Sequence, residues 1–134
     1  MEVIVEVVLP GSPDDVAPWV DSLSSYPQWM SLVHSAVAES GTPAWSVELR
    51  ARLGPLARSK RLRMLRTMSE PGRVRFERRE TDGRQHGIWE MDATWAATSD
   101  STPPRPSTRL EVRLRYEGAP WSASIGERAL TEET

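Results

Sequence analysis

Arg66 and Arg78 are the residues of this chain whose placement most invites chemistry. Each falls in the apolar phase of an alternating run. Arg66 follows Leu62 and Met64 in "KRLRMLRTM", and Arg78 follows Val74 and Phe76 in "RVRFERRE". A guanidinium turned toward an apolar interior is costly unless an anion or an acceptor meets it. Two readings stay open. Either side chain can anchor a carboxylate, phenolate or enolate of a ligand. Alternatively, each snorkels to water at a strand end or pairs with a carboxylate such as Glu90. No catalytic residue is assigned, and Arg66 and Arg78 are the candidates for that role.

The aromatic residues come next. Indole offers a large apolar area and a single donor, which suits the wall of a ligand cavity as well as an ordinary core. Trp45, Trp89 and Trp95 fall on one inferred sheet face, with Met64, Phe76 and Met91 in phase with them. Trp121 opens the C-terminal segment, Trp29 follows a Tyr-Pro pair, and Trp19 reads as helix-to-sheet core. Tyr116, in phase with Leu114, can offer its hydroxyl to a ligand, and Tyr26 lies beside the Trp29 turn. His34 and His86 are the only imidazoles, 52 residues apart and without a neighbouring ligand pattern. Either could serve as a general acid or base at a cavity mouth, but a metal site or a serine-type triad is not expected. Cysteine is absent, which excludes disulfides and thiolate metal sites. No glycine-rich phosphate loop or paired-carboxylate spacing stands out, so no cofactor is expected.

These residues need elements to hold them. "EVIVEVVL" is β-rich by propensity. In "PGSPDDVAPWVDSL", Ser12 is placed to cap a helix, Pro13 to occupy its first position, and Asp14 and Asp15 to favour its first turn. Val16, Trp19, Val20 and Leu23 recur at helical spacing. Tyr26-Pro27 is expected to break that helix, with "PQWM" beginning a second one. From about Val33 to Glu117 the pattern has period two. "AWSVELRARL", "KRLRMLRTM" (with Met68 on the apolar face), "RVRFERRE", "IWEMDATWAA" and "TRLEVRLRYE" read as strands of one antiparallel sheet with a wet face. "SEPG" and "TDGRQ" supply short turns. "APWSASIGERALTEET" suits a terminal helix lying across the apolar face.

With 134 residues the chain has room for one domain, taken as 1–134, with 38% apolar and 27% charged residues. No run is long and apolar enough for a membrane span, so no membrane insertion is expected, and a cytoplasmic location is the default. Net charge is −2, yet Arg50 to Arg84 holds twelve basic residues against four acids. Most of those arginines alternate with apolar residues and lack outward aromatic partners for stacking on bases. A solvated convex face is therefore expected rather than a nucleic-acid surface.

The order of strand, two short helices, about six strands and a helix resembles the helix-grip fold of the SRPBCC superfamily, which includes START lipid-transfer domains and polyketide cyclase/dehydrase proteins. The stretch "VIVEVVLPGSPDDVAPWVDSLSSYPQW", with its Asp21–Pro27–Trp29 spacing, and "STRLEVRLRYEG" carry the resemblance. It implies an α+β domain in which a curved antiparallel sheet of about six or seven strands wraps a cavity. Trp29 would plug the seam between the helical pair and the sheet, and a C-terminal helix would close the cavity. It also implies a small hydrophobic ligand (polyketide-, lipid- or isoprenoid-like) held by a carrier, a sensor or a cofactor-independent cyclase/dehydrase. In an enzyme of that kind an inward arginine, Arg66 or Arg78, would stabilise enolate charge. The segment after Gly118 is shorter than the family's closing helix, about 15 residues or roughly 22 Å if all helical. That leaves a trimmed chain, a covering partner subunit or an open cavity. The alternative to ligand binding is an interaction module or homodimer that uses the open sheet face without catalysis.

Overall fold

The computed structural model describes residues 1–53, 56–100, 102 and 105–117, with the backbone alone for 52, 53, 56 and 57. Seven strands form a single antiparallel sheet: β1 (Glu2–Pro10), β2 (Val33–Ala38), β3 (Ala44–Leu53), β4 (Leu56–Glu70), β5 (Arg73–Arg78), β6 (Trp89–Ala97) and β7 (Ser107–Tyr116). Their spatial order is β1-β7-β6-β5-β4-β3-β2, so β2 to β7 form a meander and β1 closes onto its last strand. The sheet curls into a half-barrel, the α+β architecture expected of a helix-grip domain. The proposed terminal helix, Trp121 included, lies outside the described residues.

Period-two patterning produces the core directly. Val47, Leu49, Leu62, Met64, Val74, Phe76, Met91, Leu110, Val112 and Leu114 are all buried on the concave face. One face assignment differs from the sequence reading. An extra residue in β4 between Arg66 and Met68 shifts the register, so Met68 pairs with outward-facing Arg75. A bulge of this kind inverts every later side chain of its strand, and an alternation count does not register it.

Two short helices sit between β1 and β2. Helix α1 (Pro13–Val20) starts with a capping box: Ser12 Oγ accepts from the Asp15 N–H at 3.2 Å, and Asp15 Oδ2 accepts from the Ser12 N–H at 3.0 Å. The expected break at Tyr26-Pro27 comes earlier. Helix α1 ends at Val20, and a 3₁₀ helix over Leu23–Gln28 contains both Tyr26 and Pro27.

The early stop has a physical cause. The last carbonyls of a helix have no partner within it, and here four successive ones are met by side chains from outside. Ser25 Oγ donates to Pro18 O (3.1 Å), Trp29 Nε1 to Trp19 O (2.7 Å), Tyr26 Oη to Val20 O (2.8 Å) and Arg66 Nη1 to Asp21 O (2.7 Å). The end of α1 is thereby tied to the 3₁₀ helix, to the segment after it and to β4.

Candidate functional site

The concave face holds a chain of aromatic rings. Trp45 meets Phe76 edge-on at 5.5 Å, Phe76 meets Tyr26 edge-on at 5.8 Å, and Tyr26 lies tilted against Trp29 at 4.6 Å. Strands β3 and β5, the 3₁₀ helix and the residue after it each supply one ring, and Trp45 Nε1 donates to Ser24 Oγ at 2.9 Å. Behind them the void lined by Leu32, Leu62, Met64, Trp89, Met91 and Leu114 has a volume of about 10 Å³. That is at most the space of one water. Trp45, Met64, Phe76 and Met91 are buried on this face, as is Trp95 on β6.

Both arginines are engaged by the protein. Arg66 spans from β4 to the end of α1, and its guanidinium carbon lies 5.6 Å from the centre of the Trp45 ring. Arg78, 11% exposed, binds Glu80 through Nε at 3.1 Å. Its partner is not Glu90, which lies on the opposite face and is approached by Arg75 and Arg115, each at 3.7 Å. Nearby on the concave face stands Lys60, opposite Leu49, a position the sequence reading passed over although it is in phase with Leu62. Burial, with the charge of Arg78, holds its ammonium pKa below the ordinary lysine value.

At the other end of the concave face Trp89 and Tyr116 stack at 4.8 Å with an interplanar angle of 15°. Tyr116 is buried, and among the described residues its hydroxyl has no hydrogen-bond partner. Burial raises its pKa. The imidazoles lie elsewhere: His34 is exposed with Nε2 3.7 Å from Glu48, and His86 Nε2 lies 2.9 Å from Asp82 Oδ2 in the β5–β6 connection. No group of three potential metal ligands forms among the described residues.

The arginine-rich segment presents its outward side chains to carboxylates. Asp92 receives Arg73 (3.0 Å) and Arg75 (2.9 Å), Glu48 receives Arg50 (2.9 Å) and Arg61 (3.2 Å), and Glu39 receives Arg63 (2.6 Å). The positive charge visible in the sequence is thus largely paired with carboxylates on the same or nearby strands and in the connection after β2.

A ligand-sized apolar space lies in another place. Between α1 and the β1–β7 edge of the sheet runs a groove of about 420 Å³ lined by Val7, Leu9, Val16, Trp19, Trp29 and Leu110. Small-molecule sites span about 300–1,000 Å³. Trp19, expected in the core, is 50% exposed along this groove. Val16 and Val20 take the buried stripe of α1, and Trp19 falls on its flank, so helical spacing alone could not tell core from groove. Trp29 is half-buried, its indole fixed by the hydrogen bond to Trp19 O. It stands at the junction of helices and sheet that the resemblance implied.

No protein-family model matches the sequence, and a search of curated proteins finds no match. Solved structures do match. A protein from Deinococcus radiodurans superposes with a TM-score of 0.68 at 14% identity, covering 99% of this chain and 91% of its own. A START superfamily protein from Mycobacterium smegmatis gives 0.66 at 15% identity over 98% of this chain and 87% of its own. A conserved protein from Geobacillus kaustophilus gives 0.61 at 15% identity over 98% and 84%. With the strand order and the paired helices after β1, these likenesses show the fold: the chain has the helix-grip fold of the START superfamily protein and the other solved structures on which it superposes.

Proposed function

We propose that the protein binds a small hydrophobic molecule in the groove between α1 and β1, as a carrier or sensor rather than as a catalyst. The observation that carries this reading is the contrast in free volume. Among the described residues, the void lined by Leu32, Leu62, Met64, Trp89, Met91 and Leu114 holds about 10 Å³, whereas the groove offers about 420 Å³ beside a half-exposed indole. An exposed tryptophan along an apolar groove gains area on ligand binding without requiring the core to open. The engagement of Arg66 with Asp21 and of Arg78 with Glu80 favours binding over enolate chemistry. Glu80 already compensates the charge of Arg78, and Arg66 is held through Nη1 on the Asp21 carbonyl, which leaves each with less to offer a developing charge.

Tryptophan fluorescence titrated with polyketide aromatics, isoprenoid alcohols and fatty acids tests the proposal. At least one class is expected to shift or quench the emission, and Trp19→Ala is expected to abolish that response while leaving the unfolding transition in place. A response that survives Trp19→Ala and is lost in Tyr116→Phe would move the site to the Trp89–Tyr116 end. No response to any class would refute ligand binding.

A further inference from the structure

The groove is asymmetric in charge. Among the described residues, Asp15 is its one ionisable lining residue; every other described side chain along it is apolar or indole, and none is basic. Among the described residues no cationic side chain pairs with Asp15. Asp14, next to it on α1, is a second acid, and Arg109 on β7 is directed to Glu6 at 3.5 Å. The Ser12 backbone N–H, followed by the Ser12 side chain, holds the Asp15 carboxyl below the usual carboxylate range, so it is ionised at neutral pH. A carboxylate has about four acceptor directions, and the capping box occupies only part of them.

We infer that the groove selects a hydrophobic amine: an apolar, preferably aromatic, skeleton carrying one ammonium group. The skeleton lies against Val7, Leu9, Leu110 and the Trp19 indole, and the ammonium reaches Asp15 at the groove wall. The Trp19 ring adds attraction for a cation over its face. An anionic hydrophobe such as a fatty acid would bring like charge to the same wall and is disfavoured there. This inference rests on the groove reading above and adds the charge of the ligand to it.

Three probes with one bicyclic ring separate the two ideas: naphthylmethylamine, naphthylmethanol and naphthoate. Binding is followed at the Trp19 indole N–H in proton–nitrogen correlation spectra, assigned with Trp19→Phe. The amine is expected to bind about five- to tenfold more tightly than the alcohol, the size of one partly screened charge contact, and naphthoate most weakly. Asp15→Asn keeps an acceptor for Ser12 and is expected to bring the amine within about twofold of the alcohol. Asp14→Asn, one position away, is expected to retain the preference. Equal binding of amine and alcohol to the unmodified protein, or a preference that survives Asp15→Asn, overturns the inference while the groove itself stands. No shift at Trp19 with any probe overturns both.

Discussion

Replacing Arg66 with methionine separates a structural role from a ligand-contacting one. The guanidinium makes two contacts, a 2.7 Å hydrogen bond to the Asp21 carbonyl and a cation–π approach of 5.6 Å to Trp45. A hydrogen bond from a charged donor contributes about 1.5–3 kcal/mol, and a partly exposed cation–π contact about 0.5–1 kcal/mol. Methionine keeps much of the stem's apolar contact and offsets part of the loss, so Arg66→Met is expected to destabilise by about 2 kcal/mol. At this chain length that corresponds to a fall in Tm of roughly 5–8 °C. Urea denaturation followed by circular dichroism reads the change as a lowered midpoint with an unaltered slope. Ligand binding in the groove, read by fluorescence, is expected to change less than about threefold, a factor worth less than 1 kcal/mol. Stability within about 0.5 kcal/mol of the unmodified protein, combined with lost binding, would refute the reasoning and restore Arg66 as a ligand anchor.

Two further perturbations test other parts of the structure. Tyr116→Phe removes a buried hydroxyl without a described partner, so it is expected to be neutral or to stabilise by up to about 1 kcal/mol in chemical denaturation; a loss above that would reveal a hydrogen bond. Burial pushes the Asp92 carboxyl up, but hydrogen bonds from Arg73 and then Arg75 outweigh it and leave the pKa below the usual value. A depressed folded pKa means that the contribution is complete above the unfolded carboxylate range and is lost as pH falls through the folded value. The stability gap between the unmodified protein and Asp92→Asn should therefore be constant near neutrality and shrink below about pH 4. A gap independent of pH down to acid unfolding would show that the pairs contribute nothing.

Much of the fold was legible because its signals are local. The alternation in "AWSVELRARL" and "TRLEVRLRYE" marks β3 and β7, whose alternate residues are buried as the pattern requires, since a strand's side-chain period is set by its own backbone. Ser12 and Asp15 mark the start of α1, because a cap and its box span only four residues. Where locality failed, so did the reading. The bulge that turns Met68 outward depends on how β4 pairs with β5, and the end of α1 depends on donors as distant as Arg66.

The candidate site shows the same division. Composition and spacing supplied the aromatic residues, the absence of cysteine and the two arginines in apolar phase. They could not say that Arg78 would meet Glu80 instead of Glu90, that Trp29 would cap a helix, or that Trp19 would border a groove. By itself the sequence determined most of the strand residues that face inward, because side-chain direction follows backbone periodicity until a bulge such as the one before Met68 resets it. Only the tertiary structure decided which inward residues touch one another and where space remains. Those depend on contacts between segments up to about a hundred residues apart, such as Glu6 and Arg109, that no local pattern encodes.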